Sequence, residues 1–290
     1  MPITINRDTL FTPTFRALVG RGTLYVAISS FFIHLLIYFV YTYQYESHPE
    51  KLLANPINAI YTPFSFLLVY EAYLLLYYLP QSTTIYIGKQ YEIISLILIR
   101  GIFKDITYLD LATATMESKY VAELWYDLAT VLLVFGMILI FYKISNRFGS
   151  ATAQYAESGS KDAEIKRFIS AKKTLSFLLL LLSAALGVYA LVEWLFHASL
   201  EHHLQPGIDI NGIFFDQFFS LLIIGDVVIL LLSLFYTDDF ALIIRNSSFV
   251  ISTILLKLSF SANGAMEQVF ILVGVAFGVA MYAVSSRFTR

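Results

Sequence analysis

Residues 213–236 read IFFDQFFSLLIIGDVVILLLSLFY, and this stretch decides the fold class. A helix over it is about 36 Å long at about 1.5 Å per residue, whereas the hydrocarbon core of a bilayer is about 30 Å thick. Its charged residues are Asp216 and Asp226 alone. An apolar run of this length predicts a transmembrane helix, and it makes Asp226 an unusual residue for its surroundings.

Comparable runs occur on both sides of this stretch. With 58% hydrophobic and 14% charged residues in 290, the chain has more apolar surface than one water-soluble core can bury. The sequence therefore predicts an all-α polytopic membrane protein of about eight transmembrane helices in a lipid bilayer. The other predicted spans are Thr23 to Tyr45, Ala59 to Leu79, Ile85 to Ile106, Val121 to Ile144, Leu175 to His197, Ala241 to Phe260 and Val269 to Val284.

Several kinds of chemistry are disfavoured by the residues themselves. The chain contains no cysteine, which excludes disulfides, thiolate metal sites and cysteine nucleophiles. Glycine-rich phosphate loops, aspartate-rich diphosphate motifs and a nucleophile elbow are also missing from the sequence. We therefore expect a protein that is not an enzyme, that needs no cofactor and that binds no nucleic acid.

The positive charges predict the orientation, because loops rich in Lys and Arg resist translocation. They cluster in the N-terminal segment, the central loop and the C-terminus, whereas the loops with His48 and with His202 have few. With four spans in each half, all three clusters fall on one side. We predict a multi-pass protein of the plasma (inner) membrane with both termini in the cytosol.

The two halves of the chain resemble each other. Residues 142–148 read YKISNRF, and residues 282–288, which lie 140 positions later, read YAVSSRF. Each stretch falls at the end of the fourth predicted helix of its half. A four-helix unit repeated in tandem keeps its orientation, so we predict two parallel repeats related by an axis along the membrane normal. The predicted units are a cytosolic or interfacial segment 1–22, a first repeat 23–148, a cytosolic linker 149–173 and a second repeat 174–290.

The last part of the linker, Asp162 to Lys173, has apolar residues at helical spacing with cations beside them. This pattern suits a short helix lying on the inner leaflet, and it equally suits a cytosolic extension of the next span. The sequence leaves both alternatives open.

Rare charges inside the spans are the candidate functional residues, because an ionisable group in hydrocarbon is costly. Each half has an acid on its second helix and a base on its third: Glu71 with Arg100, and Asp226 with Lys257. All four lie about 14–18 Å deep at about 1.5 Å per residue, when depth is counted from the residues that mark the inner boundary, namely Pro80, Lys89, Asp238 and Arg245. Opposite charges at one depth on neighbouring helices are expected to pair.

These pairs have three interpretations. They could be structural locks that fix the helix register, parts of an ion or proton path, or a binding site for a headgroup. Secondary candidates are Asp127 and Glu267, which repeat near the outer boundary, and the deeper Glu193 and His34. The outer-loop histidines His48, His202 and His203 offer a weak metal site, but their spacing matches no known motif, so we predict no metal.

A local resemblance involves Tyr91 to Asp110. Its acid Glu92, its base Arg100, the turn Phe103-Lys104-Asp105 and the later Asp110 make the stretch similar to the S2 to S3 region of voltage-gated cation channels. No later helix has a cation at every third residue, and no pore-loop signature follows. The charge distribution also places this turn outside, whereas it is cytosolic in that family. The resemblance therefore does not imply membership.

Taken together, the paired charges favour a protein that conducts or transports an ion, a proton or a small polar solute. The alternative is a non-enzymatic sensor or scaffold subunit that binds a partner protein through its loops. A homo-oligomer is compatible with either function, since Gly274 and Gly278 form a pattern that allows close helix packing.

Overall fold

The computed structural model describes residues 7–44, 56–108, 119–152, 162–200, 210–236, 240–262 and 265–288, and these residues are almost entirely helical. A short 3-10 helix, Pro56–Ile60, precedes the third α-helix. The α-helices are α1 (Arg7–Leu10), α2 (Pro13–Gln44), α3 (Tyr61–Tyr78), α4 (Thr83–Tyr108), α5 (Lys119–Thr152), α6 (Asp162–Leu200), α7 (Ile210–Tyr236), α8 (Phe240–Ser261) and α9 (Ala265–Phe288).

Six of the described helices are long and apolar enough to cross a membrane: α2, α5, α6, α7, α8 and α9. They coincide with six of the eight spans predicted from the sequence. The other two predicted spans form α3 and α4. Helix α3 contains Glu71 and several tyrosines, and α4 contains Lys89, Glu92 and Arg100. The chain is thus a multi-pass membrane protein of the all-α class.

Helices α3 and α4 each bury one face in the bundle. Leu76 and Leu79 of α3 and Tyr91 of α4 are almost completely buried, and so are the polar Gln90 and Ser95 of α4. A polar side chain there can hydrogen-bond to a neighbouring helix instead of facing lipid. The Tyr91 hydroxyl accordingly lies 3.0 Å from Ser252 Oγ of α8.

Helix α2 is exposed along most of its length. Of its described side chains Ala27 alone is buried, and large residues such as Phe32, Leu36 and Phe39 are exposed along its length. A helix that is apolar all round and exposed is adapted to lipid contact. It is also continuous across residues 22 and 23, so the start of the predicted first span lies within one helix rather than at its beginning.

Consecutive helices from α2 to α5 and from α6 to α9 pack against each other. The two sets meet where α5 packs on α9 and where α3 packs on α6. In the α5–α9 contact, Gln268 Nε2 donates to Asp127 Oδ1 at 2.6 Å, and the ring centroids of Phe141 and Tyr282 are 5.1 Å apart. In both pairs the residue on α9 lies 141 positions after its partner on α5. Because this offset stays the same along the contact, the two helices run in the same direction.

An aromatic cluster holds four helices together where the two sets meet. The ring of Phe141 on α5 lies 5.5 Å from Tyr91 on α4, 6.4 Å from Phe249 on α8 and 5.1 Å from Tyr282 on α9, measured between centroids. Buried aromatic pairs at such distances contribute about 0.5–1.5 kcal/mol each beyond the area that they bury. This cluster is a rigid part of the interface.

Helix α6 runs without interruption from Asp162 to Leu200. Its length is about 58 Å at about 1.5 Å per residue. Residues 162–173 are therefore an extension of the predicted fifth span and not a separate surface helix. Of the two alternatives left open by the sequence, the structure contains the second.

Gly278 on α9 is a point of close helix approach. A Cβ built at this position overlaps the Tyr91 hydroxyl of α4 and lies 3.0 Å from Ser252 Oγ of α8. The other glycine of the motif, Gly274, is 3.2 Å from Leu256 when a Cβ is added. The motif is thus used for packing within the chain.

We predict that Gly278→Ala destabilises the protein by about 1–3 kcal/mol, because the added methyl group must displace a buried tyrosine. Thermal unfolding in detergent measures the effect. Gly136→Ala is the matched control, since a Cβ at Gly136 meets nothing within 4 Å. In the background Tyr91→Phe, which removes the overlapping hydroxyl, Gly278→Ala should cost less. Equal destabilisation by the two glycine substitutions would contradict this packing.

Candidate functional site

The turn between α3 and α4 provides a backbone acceptor at one end of the bundle. Pro80 follows the end of α3, where a proline cannot continue the helical hydrogen bonds, and Gln81 N donates to Tyr78 O at 3.0 Å. Ser82 caps α4, because its Oγ accepts from Ile85 N at 3.3 Å. The turn leaves the carbonyl of Gln81 directed at α6. We refer to this end of the bundle as the Gln81 end.

Lys172 of α6 is the hydrogen-bond donor to that carbonyl. Its side chain is buried, with the residue 3% exposed, and Nζ donates to Gln81 O at 2.5 Å. One turn further along α6, Ser176 Oγ donates to Leu76 O of α3, also at 2.5 Å. A lysine placed at the C-terminal end of a helix meets the negative end of the helix dipole. These two bonds join α6 to α3.

Asp226 of α7 is the most enclosed acid of the described residues, at 5% exposure. Its Oδ1 accepts a hydrogen bond from Tyr86 Oη at 2.9 Å, and its Oδ2 lies 3.4 Å from Gln90 Nε2. The amide oxygen of Gln90 in turn accepts from Thr253 Oγ1 of α8 at 3.2 Å. The carboxylate of the second helix set is thus held by donors from α4 of the first.

A small cavity lies beside this carboxylate. Its volume is about 20 Å³, which is room for about one water molecule. Asp226 and Lys172 both line it, together with Thr83, Tyr86 and Asn246. The remaining wall is apolar and comes mainly from α7 and α8. The Oδ1 atom of Asn246 is buried and has no hydrogen-bond partner among the described residues, so a water molecule in the cavity would satisfy it.

Both positively and negatively charged side chains lie near the cavity. Lys172 interacts electrostatically with the Asp226 carboxylate and with the Arg245 guanidinium. No cation among the described residues lies within 4.0 Å of the Asp226 carboxylate. Asp226 is therefore balanced by a nearby ammonium group, with which it forms no direct ion pair.

The structure brings Glu71 and Arg100 together. Arg100 Nη1 is 3.7 Å from Glu71 Oε2, and both side chains are mostly buried between α3 and α4. The distance exceeds that of a charge-assisted hydrogen bond, which is about 2.7–2.9 Å. The two charges nevertheless balance each other inside the bundle.

The predicted pair of Asp226 with Lys257 is wrong. Lys257 Nζ donates to Ser220 Oγ of α7 at 2.5 Å, and Ser220 lies six residues before Asp226 in the sequence, about 9 Å along the helix. The depth of Lys257 was counted from Arg245, but α8 begins at Phe240. The longer helix places Lys257 further from the Gln81 end than Asp226.

The secondary candidates lie apart from this site. His34 Nδ1 is 2.5 Å from Thr62 Oγ1, which links α2 to α3, and Asp127 accepts from Gln268. Glu267 lies in the first turn of α9, and Glu193 lies on α6 with its side chain outside the described part. His48, His202 and His203 are also outside the described residues. Within the described ranges, no three metal-ligating side chains come together.

The sequence pattern does not single out several residues of the site, among them Lys172, Tyr86, Gln90 and Asn246. Lys172 falls in the predicted linker, although Ser176 four residues later gives that face of α6 a second polar group. Tyr86 and Gln90 are also four residues apart, which places them on one face of α4. This repeated spacing of polar residues was the available signal.

No protein-family model matches the chain, and neither a curated protein nor a solved structure is significantly similar to it. The site is therefore interpreted from its own geometry.

We predict that Tyr86→Phe lowers the free energy of unfolding by about 1–3 kcal/mol, because the Asp226 carboxylate loses its shortest hydrogen bond in a buried position. Thermal unfolding in detergent is the measurement. Tyr25→Phe on the exposed surface of α2 is the control and should change little. If both substitutions have the same small effect, the bond between Tyr86 and Asp226 does not stabilise the fold.

Proposed function

We propose that this protein moves an ion, a proton or a small polar solute across its membrane, along the interface between two four-helix halves and past Asp226. The proposal depends on one observation above all. A carboxylate at 5% exposure, on a helix apolar enough to cross a membrane, borders a cavity instead of closing a tight ion pair. Acids inside membrane helices are costly, and those that line cavities commonly mark ion and proton pathways.

The two buried acids have different surroundings, and we assign them different roles. Glu71 faces the guanidinium of Arg100 on the next helix, so it serves as the structural lock of the first half. Asp226 has neutral donors on both oxygens and an open volume beside it. Asp226 therefore belongs to the pathway, whereas Glu71 fixes helix register.

The proposal includes eight spans arranged as two parallel repeats. Three observations support it: α3 and α4 each bury one face against other helices, consecutive helices pack in the same order in each half, and α5 and α9 run parallel with contacts separated by 141 residues. In this arrangement the Gln81 end faces the cytosol, as do both termini, and the membrane is the plasma (inner) membrane. No catalytic role is proposed for any residue.

A sensor or scaffold subunit that binds a partner through its loops is the competing function. A direct ion pair at Asp226, or close packing around it without a cavity, would have favoured the sensor or scaffold function. The cavity favours transport instead, and so does the buried Asn246 oxygen, which has no hydrogen-bond partner in the part of the chain that the structure describes. The two functions differ in one measurable property, which is flux through the purified protein.

The eight-span topology predicts where single cysteines react. The chain has no native cysteine, so a variant with one thiol gives an unambiguous signal. An impermeant thiol reagent added to intact cells should label Tyr43→Cys and Ala122→Cys, but it should label Ser82→Cys and Lys143→Cys only after permeabilisation. Ser82 decides the number of spans, because it reaches the cytosol only if α3 and α4 both cross. Labelling of Ser82→Cys in intact cells would refute eight spans.

The transport proposal predicts flux into proteoliposomes of the purified protein when gradients of H⁺, K⁺, Na⁺ and Cl⁻ are imposed in turn. Asp226→Asn should reduce that flux to the leak of protein-free liposomes, because it removes the buried charge from the pathway. Glu71→Gln is the matched control, since it neutralises another buried acid. It should lower thermal stability but leave the flux per folded protein near the wild-type level.

Absence of flux under every gradient and at an imposed voltage would reject transport and favour the scaffold function. Equal loss of flux in both variants would reject the division of roles between Glu71 and Asp226.

A further inference from the structure

We propose that the species carried past Asp226 is a proton, with Asp226 as the group that binds and releases it and Lys172 as the resident counter-cation. This inference rests on the proposed transport function and names its substrate. It follows from the size of the cavity, from the oxygen atoms around it and from the hydrogen-bond network of the carboxylate.

The size of the cavity favours a proton over a hydrated ion or an organic solute. A volume of about 20 Å³ holds about one water molecule. A hydrated sodium or potassium ion has several water molecules around it, and a small organic solute is larger still. One water molecule is sufficient for proton transfer, since hydronium is a water molecule with one additional proton.

The walls of the cavity are poorly suited to a bare metal cation. Hard cations take about six or more oxygen ligands. Among the lining residues, side-chain oxygens come only from Asp226, Thr83, Asn246 and Tyr86, and the Tyr86 hydroxyl already donates its proton to Asp226. The site therefore offers too few side-chain ligands for a bare metal cation.

A proton needs only a carboxylate and a relay. In the uptake step, hydronium in the cavity transfers one proton to an Asp226 oxygen, leaving one water molecule and a neutral carboxylic acid. In the release step, a water molecule takes that proton, and the carboxylate is restored. No electron is transferred and no other reactant is needed.

The residues around Asp226 are compatible with both protonation states. In the charged state the carboxylate accepts from Tyr86 and Gln90. In the neutral state the new O–H needs an acceptor, and the amide oxygen of Gln90, which now accepts from Thr253, becomes available if the amide group reverses. A hydroxyl group can donate or accept, and a reversed amide group presents its oxygen where its NH2 was, so these side chains can hydrogen-bond to either form of Asp226.

The groups facing Asp226 come from three helices. Tyr86 and Gln90 come from α4, Lys172 comes from α6, and α8 contributes Thr253 and Asn246, with the Arg245 guanidinium close to Lys172. Lys172 keeps the charged carboxylate from being isolated in a medium of low dielectric constant. Its hydrogen bond to Gln81 O holds it in place at the end of α3.

Two measurements test this inference, and the first is proton flux. Proteoliposomes containing a trapped pH indicator receive a potassium diffusion potential at equal pH on both sides. We expect wild-type protein to acidify the lumen when the potential is negative inside, Asp226→Asn to reduce the rate to that of protein-free liposomes, and Asp226→Glu to keep part of the rate. Glu71→Gln should behave like the wild type.

The flux measurement separates the two proposals. Flux of Na⁺, K⁺ or Cl⁻ that Asp226→Asn abolishes, without proton movement, overturns proton transport but leaves the transport function in place. Absence of every flux overturns both.

The second measurement does not depend on flux or on Asp226→Asn folding normally. Infrared difference spectra between acidic and alkaline pH should contain the carbonyl band of a buried carboxylic acid, and this band should shift in frequency in Asp226→Glu but not in Glu71→Gln. Lys172→Gln should move its appearance to more alkaline pH, because a carboxylate without its counter-cation binds a proton more readily. A band that is absent, or that Asp226→Glu leaves unchanged, overturns the assignment.

Discussion

A carboxylate in a nonpolar interior must be hydrogen-bonded, and in this protein the donors for Asp226 come from another helix set. Tyr86 and Gln90 reach it only because α4 lies against α7 and α8. Helix α4 also contains Lys89, Glu92 and Arg100, and each of these charges faces one of opposite sign: Lys89 faces Glu92, and Arg100 faces Glu71. The position of α4 beside α7 and α8 is therefore what allows Asp226 to be buried with hydrogen-bond donors.

The sequence was sufficient to predict the class of the protein and the identity of most helices. Long apolar runs such as 213–236 leave few alternatives to a transmembrane helix, and six of these runs became helices apolar enough to span a membrane. The contact between Glu71 and Arg100 is also present in the structure. These features depend on properties that can be read along one helix or between two consecutive helices.

The partners of Lys257 and Lys172 depend on contacts between helices that are distant in the sequence, and no local pattern specifies such contacts. Lys257 was paired with the wrong partner because a difference of five residues in the start of α8, from Arg245 to Phe240, changes its depth by about 7 Å. Lys172 was overlooked because a lysine near a helix end is usually solvated, and only the approach of the Gln81 carbonyl gives it a buried partner. Depth along a helix and packing between distant helices are set by tertiary structure.

The interface between the two helix sets combines a rigid part and an adaptable part. The rings of Tyr91, Phe141, Phe249 and Tyr282 pack against one another, and the Tyr91 hydroxyl leaves no room for a methyl group at Gly278. The cavity at Asp226 is instead bordered by groups that can exchange hydrogen bonds. Such a division lets a site change its state while the helices around it stay in register.

The unbroken course of α6 has a mechanical consequence for Lys172. Neither glycine nor proline occurs between Asp162 and Leu186, and kinks in helices usually arise at such residues. The first turns of α6 and the part that contains Lys172 therefore form one stiff rod. A displacement of residues 162–166 would therefore be transmitted along the helix to Lys172 and to its hydrogen bond with the Gln81 carbonyl.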